Sequence, residues 1–440
     1  MDRNQLRDEL LAWACEEGLV VDPAGDLEQA EHQFRELAHQ LAAAALQKQL
    51  HDSKPGYEGA RRVCPNCGAS QRFIQHRPRT ILTLLGPITV KRAYYRCDHC
   101  KQGSLPWDEQ TGLGRRLCSV SVAKAATRCT AHEPFGQAST MLYELAGLRL
   151  SDSTLHELTG QVGEVAAEME KPEAPENVEV EASPARHYTA VDGAFVHIDG
   201  GWREVRSAIC YREQEAGQDS DQREARYAAR YESAEAFTPY VEALARRTGH
   251  HAAGEKVLLG DGAKWIWQRV GEALTPQTVH ITDWYHVMER VWECAHALHG
   301  EDTAAVNAFV KPIEALLWEG RLRELRERMD RLLEAQPPES NNRRAVETLR
   351  TYLRNQNQRL AYDDFRAAGY DIGSGRVEAS CKSVIGQRAK RSGMQWKGPG
   401  FQATLSLRCI FLNDQSPQLW NRKPLRPRRP LRPRPTESTY

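Results

Sequence analysis

A chain of 440 residues is too long for a single core, so about three domains are expected, and 40% hydrophobic with 27% charged residues describes an ordered protein adapted to water. No apolar run approaches the roughly 20 residues that span a bilayer, so no membrane partner is expected, and eleven scattered cysteines speak against a secreted disulfide scaffold and for a reducing cytoplasm. The formal net charge of zero hides a segregation: Glu164 to Glu181 holds seven Glu and one Lys, whereas Lys382 to Arg434 holds thirteen Lys or Arg and the one acid Asp414, a distribution suited to a nucleic-acid partner.

The chain opens on MDRNQLRDELLAW, which reads as a charged amphipathic helix rather than a signal peptide. Residues 3–18 and 26–51 are predicted as two helices broken at Asp22-Pro23 and Gly25, a packing or oligomerisation hairpin over 1–55. Next, Cys64-Pro-Asn-Cys67 and Cys97-Asp-His-Cys100 flank a polar/apolar alternation that turns at Gly86-Pro87. Two such knuckles can set four thiolates around one structural Zn²⁺, predicting a zinc ribbon over 60–108; the alternative is four free core cysteines. Residues 115–167 read as helical. Within them FGQASTMLYELAGLRLSDSTLHELTGQVG has a turn at Gly147 and a Ser151 or Ser153 cap, the outline of a helix-turn-helix, although any helical hairpin with a glycine turn looks similar. The acidic Glu/Pro stretch 168–185 reads as a linker.

From His187 the pattern changes to strands: 187–198, 202–213 across the Asp199-Gly200-Gly201 turn, and 225–233. A helix over 234–249, a strand over 256–262, a helix over 263–274 and a strand over 277–287 follow. Three meandering strands and then alternating helices and strands is the order of a ribonuclease-H-like mixed sheet with helices on both faces, here 186–287 and 367–412 around an all-helical insertion at 288–366. Asp192 lies inside an apolar strand, where an unpaired carboxylate is costly, and Asp261 lies just past Val257-Leu258-Leu259. In that sheet the two would converge, and like charges held together call for a cation; Mg²⁺, as two ions, suits hard oxygen ligands. Asp-Gly is also a common turn pair, which leaves each Asp open alone. A third carboxylate is expected from GSGRVEASCKSVIGQRAKRSG, where Glu378 edges the apolar stripe of Val377, Cys381, Val384 and Ile385; the alternative is a surface Glu378–Lys382 pair. Lys382, Arg388, Lys390 and Arg391 beyond it would track phosphates, and Trp396 would stack on a base or simply pack. The Pro/Arg-rich tail, 421–440, cannot bury a core and reads as a disordered basic arm.

AVDGAFVHI, LLGDGAKWIW, ITDWYHVMERV and SGRVEASCKSVIGQRAKRSGMQW, in that order, resemble the DDE transposases of bacterial insertion sequences, in particular the Kra-type family, over roughly 60–412. The resemblance implies a cytoplasmic, nucleoid-associated enzyme that cleaves double-stranded DNA at element ends and joins them to a target with Mg²⁺ or Mn²⁺. Asp192, Asp261 and Glu378 would be its metal triad, and the active form a homodimer or higher multimer. Asp283-Trp-Tyr-His286 is similar to a motif in which the histidine organises the active site, which adds His286 to the catalytic set; from the residues alone Asp283 is equally a helix cap and His286 a core residue. Two rival readings remain at this point: a transposase-derived DNA-binding regulator with an inactive core, and a nuclease of the same fold that cuts without joining.

Overall fold

The computed structural model describes residues 26–112, 118–172, 183–213, 225–373, 380–391 and 393–421, with isolated positions at 5, 8, 9, 12, 16 and 375. The predicted helix 3–18, the acidic residues 173–182, Glu378 and the tail from 422 therefore lie almost wholly outside the described residues. It is a mixed α/β protein with two sheets that divides into two units, residues 1–159 with 420–440 and residues 160–419. Among the described residues no helix is long and apolar enough to cross a membrane.

In the first unit helix α1 (Leu27–Asp52) starts at Asp26, whose carboxylate accepts the Glu28 N–H. Strands β1 (Arg61–Val63), β2 (Ser70–Thr83), β3 (Gly86–Cys97) and β4 (Gly103–Ser104) form an antiparallel sheet in that order. Thr83 pairs with Gly86, so the hairpin turns at Leu84-Leu85; Gly86 and Pro87 instead begin the return strand. The cause is local: the Thr83 hydroxyl donates to the Gly86 carbonyl and accepts the Leu85 N–H, closing the turn early. Ile81, Ile88 and Val90 bury one face of the hairpin against Ala43, Leu46 and Leu50 of α1. After α2 (Pro106–Thr111) come α3 (Val120–His132) and α4 (Phe135–Ala146), which pack through Val122, Ala126, Ala138 and Leu142. Helix α4 stops at Gly147, whose left-handed φ of 65° is open to glycine at little cost. Ser151 then accepts the Thr154 N–H and opens α5 (Asp152–Glu170).

Helix α5 corrects the linker boundary. It continues to Glu170, which belongs to the second unit and whose carboxylate lies 3.2 Å from the buried Arg230 of that unit.

The second unit is built on β5 (Ser183–Ile198), β6 (Gly201–Arg212), β7 (Arg226–Arg230), β8 (Ala253–Gly260) and β9 (Val279–Thr282) in the order β7-β6-β5-β8-β9. The first three meander antiparallel, and β8 and β9 run parallel to β5. Alternation sends successive side chains to opposite faces. On one face Val191, Ala208, Cys210 and Leu258 pack on α6 (Ala234–Arg247) and on a π-helical turn, Ile266–Val270, that continues as Gly271–Ala273. The other face carries two separate helical layers. Tyr188, Ala190, Leu259 and Ile281 pack under α7 (Trp284–His299), α8 (Thr303–Trp318), α9 (Leu322–Glu334), α10 (Asn341–Gln356) and α11 (Tyr362–Ala367). Ala194, Val196 and Ile198 pack under Cys381, Val384, Ile385 and α12 (Gly398–Leu412), which is followed by α13 (Ser416–Asn421).

Strand β9 ends at Thr282, earlier than the predicted strand through Val287. The Asp283 carboxylate accepts the Tyr285 and His286 N–H groups, and this cap converts Trp284–Val287 into the first turn of α7.

Candidate active site and thiolate cluster

The strand registers build one site. Val191 pairs with Gly260 across β5 and β8, and Gly260 pairs with Thr282 across β8 and β9. The next residue on each of the three chains is an aspartate: Asp192, Asp261 and Asp283. Each stands two positions after a member of one buried cluster, Ala190, Leu259 and Ile281, so alternation puts all three on the same face. Neighbouring strands lie about 4.8 Å apart, which makes this a row of acids along adjacent strands. Asp192 stands between Ala190 under one helical layer and Ala194 under the other, and is 9% exposed.

The electrostatics follow from that crowding. Burial raises the Asp192 carboxyl above its ordinary value, and the Asp261 charge pushes the same way; Cys381, His286 and the Gly193 N–H, which donates to Asp192 Oδ1 at 2.7 Å, oppose them. Asp261 is half-buried; its carboxylate accepts the Ala263 N–H at 2.8 Å and its carbonyl accepts the Tyr352 hydroxyl at 2.9 Å. The Gln356 amide donates to the Gly262 carbonyl at 2.8 Å, so α10 fixes the loop after β8 at two points. Asp261, Arg290, Glu293 and Tyr352 line a cleft of about 430 Å³.

His286 Nδ1 lies 3.6 Å from Asp283 Oδ2, and its Nε2 lies 4.0 Å from Asp192 Oδ1. The first distance is an ion pair, too long for a hydrogen bond, and both atoms lack a hydrogen-bond partner among the described residues. Asp283 foremost, then Asp192 and Asp261, raise the imidazole to about 9 against its burial. Asp283 is fully buried and spends one oxygen on capping α7, so it holds the histidine from behind while Nε2 faces Asp192.

The other expected site residues divide. Asp192, Asp261 and His286 come together, whereas Glu378 lies outside the described residues. Lys382 and Lys390 are exposed and Arg391 is half-buried. Arg388 corrects its expected place on the phosphate-tracking run. It is 3% exposed, with its guanidinium 4.7 Å over the Trp396 ring, because it covers the indole rather than facing water. Trp396 is half-buried; its indole N–H donates to the Ala389 carbonyl, and its backbone pairs with His197 and Asp199, so it packs as part of the sheet edge. Asp283 is the member of the row that pattern reading placed outside the ligand set, although its signal was present: in AVD, LLGD and ITD an aspartate follows an apolar strand stretch, inside β5 for Asp192 and just past the strand for Asp261 and Asp283.

In the other unit Cys64, Cys67, Cys97 and Cys100 bring four sulfurs within 4.8 Å of one another, the one such ligand group among the described residues. Cys64 and Cys100 Sγ are 3.7 Å apart, and Cys67 and Cys97 Sγ 3.6 Å. A zinc ion about 2.3 Å from four tetrahedral sulfurs sets them about 3.8 Å apart, so the cluster could hold one structural zinc. Its surroundings pull in both directions: against the Ala69 N–H, desolvation and crowding with the other sulfurs push Cys67 up to about 12. The Gln71 amide donates to Cys64 Sγ at 3.4 Å and the Cys100 N–H to Cys97 Sγ at 3.5 Å, while the Gln102 N–H and the Asn66 side chain bring Cys100 down to about 6.

A mixed α/β chain with a four-sulfur knuckle pair and a row of carboxylates on adjacent strands is the class that fold and site define. The model of an uncharacterised protein family, UPF0236, matches residues 65–418, and the chain belongs to that family. No curated protein matches it.

Proposed function

We propose that the chain is a DNA transposase of the DDE type, with Asp192, Asp261 and Glu378 as the acids that hold two divalent ions, Mg²⁺ or Mn²⁺. The observation that carries this reading is the register that sets Asp192 beside Asp261 on one face of adjacent parallel strands. The strand order, three antiparallel and then two parallel to the first, supports a ribonuclease-H-like reading, in which the helices between β9 and Cys381 would be an insertion. The donor set fits hard cations: neighbouring carboxylates, one of them raised chiefly by burial and further by the other's charge, are relieved by an ion between them. Glu378 precedes by three residues Cys381, which interacts with the Asp192 carboxyl.

Bound divalent ions would activate the attacking hydroxyl and neutralise the departing oxygen of a phosphodiester. The chain's own groups do the rest. Asp283 favours the protonated form of His286, whose Nε2 faces Asp192 at 4.0 Å and stabilises its charge. Tyr352 and Gln356 hold the Asp261 loop at the cleft. Cleavage transfers a phosphoryl group to water and frees a 3′-hydroxyl; joining repeats the exchange with that hydroxyl as nucleophile, one P–O bond forming as another breaks. Lys382, Lys390 and the α4–α5 helical pair would supply duplex contacts, and the reading carries with it a multimer on paired ends.

The test is incubation of purified protein with duplexes carrying the DNA that flanks its own gene, with and without Mg²⁺, and mapping of nicks. Metal-dependent nicks at defined positions, followed by joined products, are expected. Nicks without joining would indicate a nuclease, and binding without nicks a regulator.

A further inference from the structure

A second cleft in the same unit, about 410 Å³ in volume, is lined by four arginines, Arg212, Arg226, Arg230 and Arg247, against one carboxylate, Glu170. It lies at the end of the sheet away from the aspartate row. Arg212 pairs in register with His187, five residues along β5 from Asp192, about 17 Å at strand spacing. Cys210 pairs with Arg226, so Arg212 and Arg226 are diagonal neighbours on one face, about 7–8 Å apart.

The charges are unequally compensated. Arg230 is the floor, only 5% exposed, held by Glu170 at 3.2 Å and Glu232 at 2.7 Å and lying 4.5 Å over the Tyr240 ring. Arg212 spends Nε and one terminal nitrogen on the Thr248 carbonyl, at 3.3 and 3.1 Å. Among the described residues no carboxylate stands within ion-pair distance of Arg212 or of Arg247, which is exposed on the last turn of α6. Tyr227 and Tyr240 add ring faces and phenol donors, kept neutral by burial, which raises both. Arg212 and Arg247 carry their charge to the cleft, and forked guanidinium N–H groups match phosphate oxygens in pairs. The volume is that of a small-ligand site, and the aromatic walls accept a flat ring.

We infer that this cleft binds a phosphate-bearing ligand of nucleotide size, with Arg212 and Arg247 clamping the phosphate and Tyr227 and Tyr240 lining the remainder. The phosphate can belong to a free nucleotide or to the end of a DNA strand, and the test separates them. Isothermal titration of the full chain, without added divalent ion, uses sodium pyrophosphate, ATP and a 5′-phosphorylated single strand as probes. Saturable one-to-one binding is expected from at least one probe, weakened about tenfold or more by Arg212→Gln and by Arg247→Glu. The Asp192→Asn variant should bind like the unaltered chain. Binding of pyrophosphate and ATP assigns a free nucleotide, and binding of the oligonucleotide alone assigns a strand end. Because Arg247 is exposed, its replacement leaves the packing intact, and equal melting temperatures check this. The inference is overturned if no probe binds, if both arginine variants bind as tightly as the unaltered chain, or if Asp192→Asn removes the binding.

Discussion

Lowering the pH from 7 to 5 should destabilise the second unit through two histidines that are buried uncharged. His187 and His250 are fully buried; His250 contacts Thr189, His187 and Thr278, and His187 contacts Thr248 at 2.9 Å. Burial foremost, then neighbouring positive groups, lowers His187 to about 4 and His250 to about 3, from an ordinary value of 6.5. A histidine depressed in the folded state takes up its proton only on unfolding, so stability is full above 6.5 and falls as the pH drops toward the folded value. At pH 5 an unfolded histidine gains about 2 kcal/mol from protonation that a folded one at about 3 forgoes, against about 0.2 kcal/mol at pH 7. Glu170 works in the opposite sense, because burial lifts it to about 7 and its folded form gains a proton over the same range. Comparison with His250→Gln cancels that term, and glutamine keeps both a donor and an acceptor for the same neighbours. Guanidinium unfolding followed by tryptophan fluorescence should show the unaltered chain losing about 2 kcal/mol more than the variant between pH 7 and 5. Equal losses would show that His250 is not held neutral in the folded chain.

The sulfur cluster should carry one zinc per chain by native mass spectrometry, and Cys64→Ser should release it and open residues 61–104 to protease; a zinc-free chain with an intact hairpin would contradict this. Gly163 on α5 faces the Ala403 carbonyl, which a Cβ would meet at 2.4 Å. Gly163→Ala should therefore destabilise by about 1–3 kcal/mol by thermal melting, where an open helix site would gain about 1 kcal/mol. Arg408 is 2% exposed and donates to the Ser383 carbonyl and to Gln387 Oε1. Replacing it by Met removes both hydrogen bonds of the buried guanidinium and should cost about 2–4 kcal/mol, measured by the same melting.

Much of the second sheet was legible because alternation and apolar runs are direct records of which face is buried. The five strands fall where their Val, Ile and Tyr-rich stretches stand, and AVD and LLGD mark the acids. What escaped sequence reading depended on partners far along the chain. Glu170 reads as one more linker acid until Arg230, sixty residues on, takes its charge. Arg388 reads as a solvated cation because nothing local reveals that Trp396 lies beneath it. The hairpin turn shifted because one threonine hydroxyl outweighed the Gly-Pro preference. Asp283 was legible as a cap, but its alignment with Asp261 required the parallel register of β8 and β9.

On the proposed function, Asp192 acts with Asp261 in metal-dependent phosphoryl transfer. The most direct measurement compares the unaltered chain with Asp192→Asn for cleavage of an end-containing duplex in Mg²⁺, with duplex affinity measured in parallel. Asparagine keeps the shape and the Gly193 contact but removes the charge. The account requires cleavage to fall by at least about a thousandfold, the loss of roughly 4 kcal/mol of transition-state stabilisation, with affinity unchanged. Undiminished cleavage by Asp192→Asn would contradict it.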